Sequence, residues 1–155
     1  MAERAKEEAF PRAEKSPTAL SKTVLGVMQS PVSTLQVGDS ISKAIKLLKT
    51  AKTPCFPVLE GDRLVGILCG CSTHLFLSST IQDAIEGRDG GALDRVCVQE
   101  IMRDAPVSIG PYHSVLTAAQ ILIERSLCAL PVVEEQKVVG IVTQADILRA
   151  LVARV

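Results

Sequence analysis

The stretch Phe56-Pro57-Val58-Leu59-Glu60, followed three residues later by Leu64-Val65-Gly66-Ile67-Leu68, returns downstream as Leu130-Pro131-Val132-Val133-Glu134 and Val138-Val139-Gly140-Ile141-Val142. Each pair of apolar runs around a short polar break, Gly61-Asp62-Arg63 in the first copy, reads as a β-hairpin. The match runs back without a gap to Met28 and Met102 and takes in Ser40/Ser114, Ala44/Ala118 and Leu48/Leu122. Ten of the 42 paired positions in 28–69 and 102–143 are identical. A hairpin written twice at a constant offset sets the architecture before any single residue is interpreted.

The flanking residues complete the unit. Val24–Met28 is an apolar turn, and Val32–Val37 reads as a strand ending at Gly38-Asp39. Ser40 is a good N-cap for a helix over Ile41–Thr50, with Ile41, Ala44, Ile45 and Leu48 at helical spacing. A helical stretch from about Ser72 to Glu86 follows the hairpin, and Gly87-Arg88-Asp89-Gly90-Gly91 breaks it. The second copy keeps this order. Val98–Met102 is the opening turn, Pro106–Ile109 a short strand, and Ser114 caps a helix over Val115–Arg125. The hairpin comes next, then a last helix over Gln144–Val155. The expected fold class is α+β, a tandem β-α-β-β-α repeat. Its divisions are a mobile tail (1–22), a first repeat (23–86), a linker (87–96) and a second repeat (97–155). A unit of this size buries its sheet better against a second copy than alone.

Hydrophobic residues make up 47% of the chain but aromatics only 3%, so the core must be built from Val, Ile, Leu and Ala. The 17 basic and 17 acidic residues cancel. No basic stretch is dense enough for nucleic acid, and few aromatics are available for base stacking. The charged N-terminus lacks an apolar signal core, and no run approaches a membrane span. A soluble cytoplasmic protein is expected. Five cysteines in such a chain suggest reduced thiols rather than a disulfide framework.

A paired unit carrying Met, then Pro-Val, then Val-Gly-Ile, then Thr143-x-x-Asp146 resembles the CBS domain, and two in tandem resemble the CBS pair or Bateman module. The resemblance covers roughly residues 24–155. It implies two sheets packed about a pseudo-two-fold axis, with clefts between the repeats that bind adenosine-containing ligands. It also implies that Asp146 grips a ribose and that Thr143 supports the sugar or phosphate. Adenine would sit between Val107-Ser108 and the start of the second hairpin at Ala129, Leu130 and Pro131. The competing reading of Thr143 and Asp146 is a plain helix cap with an acidic first turn.

The first copy departs from this pattern, with Cys69 and Ser72 where Thr143 and Asp146 stand. A serine hydroxyl cannot accept as a carboxylate does, so the first site is expected to be weak or empty. The pairs before the two Pro-Val strands, Pro54-Cys55 and Cys128-Ala129, carry no cation where relatives place one for phosphate. Arg149, one turn after Asp146, is the nearest substitute, with Arg103 and His113 as others; each also reads as an ordinary surface side chain. A weakly charged ligand such as S-adenosylmethionine therefore stands beside AMP, ADP and ATP.

Cys69-Gly70-Cys71 with His74 offers three local metal donors, short of a closed structural zinc site, and free thiols at a strand end are the simpler reading. No catalytic constellation is present in the sequence. The expectation is a regulatory, non-enzymatic module that requires no cofactor and takes an adenosyl small molecule. It would form a homodimer through helices bearing Ile81, Ala84 and Ile85 or Ile147, Leu148 and Leu151, and act on an unidentified protein target. The alternatives are a ligand-free interaction scaffold of the same fold and, last, a cysteine-based redox or metal protein.

Overall fold

The computed structural model describes residues 22–70, 86, 91–104 and 106–152. The expected tail before Lys22, residues 72–85 of the helix expected to about Glu86, and the candidate ligands Cys71 and His74 lie outside the described residues; Glu86 itself is in a turn. The chain forms two compact units, one of Ser33–Asp104 and one of Met1–Val32 with Ala105–Val155.

The Ser33–Asp104 unit contains β1 (Leu35–Gln36), α1 (Ile41–Leu48), β2 (Cys55–Glu60) and β3 (Arg63–Cys69). After these come α2 (Ala92–Arg95), a 3-10 turn (Val98–Glu100) and β4 (Arg103–Asp104). The sheet order is β1-β2-β3-β4, with β1 parallel to β2 and the other pairs antiparallel. Ser40 caps α1 as its Oγ accepts the Lys43 N–H at 3.3 Å. The core joins Leu35, Ile41, Ala44, Phe56, Val58, Leu68, Val96 and Val98. Phe56 is the one aromatic in it among the described residues.

The second unit contains a 3-10 turn (Val24–Gly26), α3 (Val115–Glu124), β5 (Ala129–Glu134), β6 (Lys137–Thr143) and α4 (Gln144–Val152). β5 and β6 pair antiparallel. Single bridges extend this hairpin on both sides: Ile109 parallel to Val132, and Gln29 antiparallel to Ile141. Its core joins Val24, Ile109, Val115, Ala118, Ile121, Leu122, Leu130, Val132, Val142 and Ile147.

The compact units run differently from the sequence repeats, because each repeat lends its opening segment to the other's hairpin. The N–H groups of Val24 and Leu25 donate to the His113 and Pro111 carbonyls, both at 2.8 Å, and Val115 N–H donates to Lys22 O at 2.8 Å. The same bonds recur in the other unit: Val98 to Asp39 at 2.8 Å, Gln99 to Val37 at 3.1 Å, and Ile41 to Val96 at 3.0 Å. Gly66 and Gly140 recur for the same reason. A Cβ on Gly140 would stand 2.7 Å from Met28 Sδ and 2.8 Å from Gln29 O, and one on Gly66 would stand 2.5 Å from Met102 Sδ.

Elsewhere the structure adjusts the sequence expectation. Of Pro106–Ile109 only Ile109 pairs, whereas Arg103–Asp104, which carries no strand signal, pairs with Gly66 and Ile67. Residues expected as linker form α2. Both hairpin turns have two residues, since Glu60 pairs with Arg63 and Glu134 with Lys137. Gly61 meets the positive φ of such a turn (63°), but Glu135 and Gln136 adopt φ of 47° and 66° without glycine. Among the described residues no helix is long and apolar enough to cross a membrane.

Candidate functional site

β6 ends at Thr143 and α4 begins at Gln144, so Asp146 falls in the first helical turn. The two residues satisfy each other as a capping box. Thr143 N–H donates to Asp146 Oδ2 at 2.9 Å, and Asp146 N–H donates to Thr143 Oγ1 at 3.2 Å. The Thr143 hydroxyl also donates to Oδ2, at 2.8 Å. Asp146 is only 6% exposed, so its carboxylate must be met by donors. Besides Thr143, two more side chains donate to it. Gln29 Nε2 lies 3.1 Å from both carboxylate oxygens, and the Arg149 guanidinium lies 3.1 Å from Oδ1. The Arg149 side chain is 74% exposed, and its guanidinium can swing away into water with little loss.

Gln29 is the residue that sequence reasoning missed. It lies 117 positions from Asp146. Its backbone is bound on both sides to Ile141, at 2.8 Å for its N–H and 3.0 Å for its carbonyl, and this aims its amide at the start of α4. The mirrored register of the repeat held the only signal: Met102 and Arg103 follow the second opening turn as Met28 and Gln29 follow the first.

The other expected site residues lie in the same unit, with one exception. Ile109 N–H donates to Pro131 O at 3.0 Å, and Val133 N–H donates to Ile109 O at 2.9 Å. These bonds tie the chain carrying Val107 and Ser108 to β5. Ala129, Leu130 and Pro131 are buried in β5, with Ala129 registered opposite Thr143. The Leu130 side chain is fully buried in the hydrophobic core, and Val107 packs against the same core. His113 is half-buried, its Nδ1 3.3 Å from Gly110 O. Arg103 is the exception, lying on β4 in the other unit.

At the matching place in the first repeat, Cys69 ends β3 opposite Cys55 of β2. Ser72 lies outside the described residues. Among the described residues, no group of three or more His, Cys, Asp or Glu side chains could hold a metal ion.

Comparison with known proteins identifies the class. The CBS domain family matches residues 24–69 and 98–153, and the chain belongs to that family as a CBS-domain pair. It is 30% identical over 125 residues to the CBS domain-containing protein YhcV of Bacillus subtilis, covering 81% of this chain and 82% of that one. An inosine-5'-monophosphate dehydrogenase of Korarchaeum cryptofilum is 29% identical over 117 residues, but the match spans only 21% of that enzyme. Among solved structures, CBSX2 in complex with AMP is 26% identical with a TM-score of 0.66, covering 85% of this chain and 97% of that one. The CBS domain of a CBS domain-containing membrane protein from Sphaerobacter thermophilus shares the fold, with a TM-score of 0.69 at 22% identity over 83% of this chain and 86% of that one.

Proposed function

We propose that this CBS-domain pair is a regulatory module that binds an adenosine-containing metabolite through Asp146. The observation that carries this reading is a buried carboxylate, fixed by Thr143, whose remaining donors are side chains able to leave. Gln29 Nε2 spans both carboxylate oxygens, where the two vicinal hydroxyls of a ribose would donate. Binding exchanges one set of charge-assisted hydrogen bonds for another of similar strength, each about 1.5–3 kcal/mol. Affinity must then come from the base and the phosphate. Val107, Ser108, Ala129 and Pro131 are the groups nearest to hand for adenine, with the Leu130 side chain committed to the core. Arg149, once released from Asp146, is the cation for a phosphate. The AMP bound to CBSX2 supports this class of ligand, and AMP, ADP, ATP and S-adenosylmethionine all carry the required ribose. The ligand acts by binding one arrangement of the module better than another.

α3 and α4 carry exposed apolar side chains, Ile123, Leu148, Leu151 and Val152, suited to a second copy of the chain. Ile147, from the expected dimer face, is instead buried in the core.

One observation favours the second reading, a ligand-free scaffold: every acceptor position of the Asp146 carboxylate is already used inside the protein. Thermal unfolding with AMP, ADP, ATP, NAD and S-adenosylmethionine separates the two. A ligand at one hundred times its Kd adds about 2.7 kcal/mol. A raised Tm that Asp146→Asn abolishes and Gln29→Ala enlarges supports the ribose site. No rise with any compound establishes the scaffold, and a rise indifferent to Asp146→Asn moves the site elsewhere.

A further inference from the structure

Cys55 and Cys69 are direct cross-strand partners in the β2–β3 pair. Gly70 N–H donates to Pro54 O at 2.6 Å, which makes 54/70 a hydrogen-bonded pair and 55/69 the adjacent non-hydrogen-bonded one. In such a pair the Cα atoms stand roughly 4.5 Å apart and both side chains leave the same face. A disulfide needs Cα atoms about 4.4–6.8 Å apart and Cβ atoms about 3.5–4.5 Å apart. The first condition is met at its short limit; the second needs the Cβ atoms of a typical pair, about 4.5–5.5 Å apart, to close slightly. Both residues are buried, at 1% and 8% exposure, and neither is disulfide-bonded. The corresponding positions in the other unit hold Ala129 and Thr143, also register partners, so neither sulfur is demanded by the fold.

We propose that Cys55 and Cys69 are a reversible redox site that closes to an intrachain disulfide when it meets a low-molecular-weight disulfide of the glutathione class. Cys69, at the strand end and the less buried of the two, reacts first. Its thiolate attacks one sulfur of the small disulfide, breaks that bond and releases one small thiol. Cys55 then attacks the Cys69 sulfur of the mixed disulfide and releases the second. The two cysteine protons pass to the two leaving thiols, and the protein's two sulfurs are oxidised as the small disulfide is reduced. Drawing the Cβ atoms inside the ordinary cross-strand spacing strains the bond and makes it more readily reduced, a property of labile rather than structural disulfides. This inference does not depend on the ligand reading, because it concerns the half of the molecule that lacks the Thr143–Asp146 pair.

The test uses the full chain carrying Cys71→Ser, so that Cys69 is the only thiol in its tryptic peptide. The protein is equilibrated in glutathione buffers of graded oxidised-to-reduced ratio, alkylated, digested with trypsin and weighed without reduction. The expected product is peptide 53–63 joined to peptide 64–88, lighter by two hydrogens than the sum of the free thiol peptides. It should appear in monomeric protein, revert with dithiothreitol, and be half-formed at a ratio that keeps a relaxed structural disulfide fully oxidised. Cys55→Ala and Cys69→Thr, which install the residues used at these positions in the other unit, should each abolish it without loss of fold. The proposal is overturned if both peptides stay separately alkylated in buffers that glutathionylate the exposed Cys128. It is equally overturned if the crosslink joins two chains or persists in either variant.

Discussion

Alanine at Gly140 should cost far more than alanine at Gly66, although the two glycines are the same position of the repeat. At Gly140 the added Cβ stands 2.8 Å from the backbone oxygen of Gln29 and 2.7 Å from Met28 Sδ. Carbon contacts relax near 3.5–4.0 Å, so the segment carrying Gln29 must retreat by several tenths of an ångström. That oxygen accepts the Ile141 N–H at 3.0 Å, and the Gln29 N–H donates back to Ile141 at 2.8 Å, so retreat strains both bonds. Overpacking of this kind costs about 1–3 kcal/mol, and each weakened bond adds up to about 1 kcal/mol. We expect about 3 kcal/mol for Gly140→Ala. At Gly66 the tightest contact, 2.5 Å, is to the Met102 sulfur, the end of a flexible side chain, and the Arg103 carbonyl lies farther off at 3.1 Å. The methionine can rotate away, and about 1 kcal/mol is expected there. Urea unfolding followed by circular dichroism measures both, compared at constant m-value. Met28→Ala should recover only part of the Gly140→Ala loss, because the backbone clash remains. Equal costs at the two glycines, or a Gly140→Ala cost under about 0.5 kcal/mol, would refute the reasoning.

Two further outcomes follow from local geometry. α3 ends in a Schellman motif, with Ser126 N–H on Ile123 O at 3.2 Å, Leu127 N–H on Leu122 O at 2.9 Å, and Ser126 at φ 50°. Ser126→Gly removes the steric cost of that conformation and should stabilise the protein by about 0.5–1 kcal/mol, net of the freer unfolded chain; a lower denaturation midpoint would contradict it. Tyr112 is the only tyrosine of the chain, so its phenolate absorbance titrates a single group. Its hydrogen bond to Glu134, reinforced by the carboxylate charge, raises its pKa above 10.0. Glu134→Gln should bring the titration midpoint down, and an unmoved midpoint would show that the carboxylate is not its partner.

Each level of structure was legible where its cause was local. The hairpins, the Ser40 and Ser114 caps and the aliphatic core could be read directly, because alternation, capping chemistry and residue volume act within a few residues. Thr143 and Asp146 were legible as a pair, since their mutual bonds span three positions. Gln29 was not, because its amide reaches Asp146 only once Gln29 pairs with Ile141 across more than a hundred residues. β4 escaped for the same reason: Arg103 and Asp104 have no strand character, and it is their pairing with Ile67 and Gly66 that makes them a strand.

By itself, then, the sequence determined the repeat, the order of elements within each copy, and the inequality between Thr143–Asp146 and its first-copy counterpart. Only the tertiary structure decided which segments complete which sheet. The opening turn of each repeat docks on the other repeat's hairpin, and the two repeated glycines leave room for it. Backbone pairing between distant segments depends on which edge is open and on how close a neighbour can approach, and neither is written in the pattern of the segment that docks.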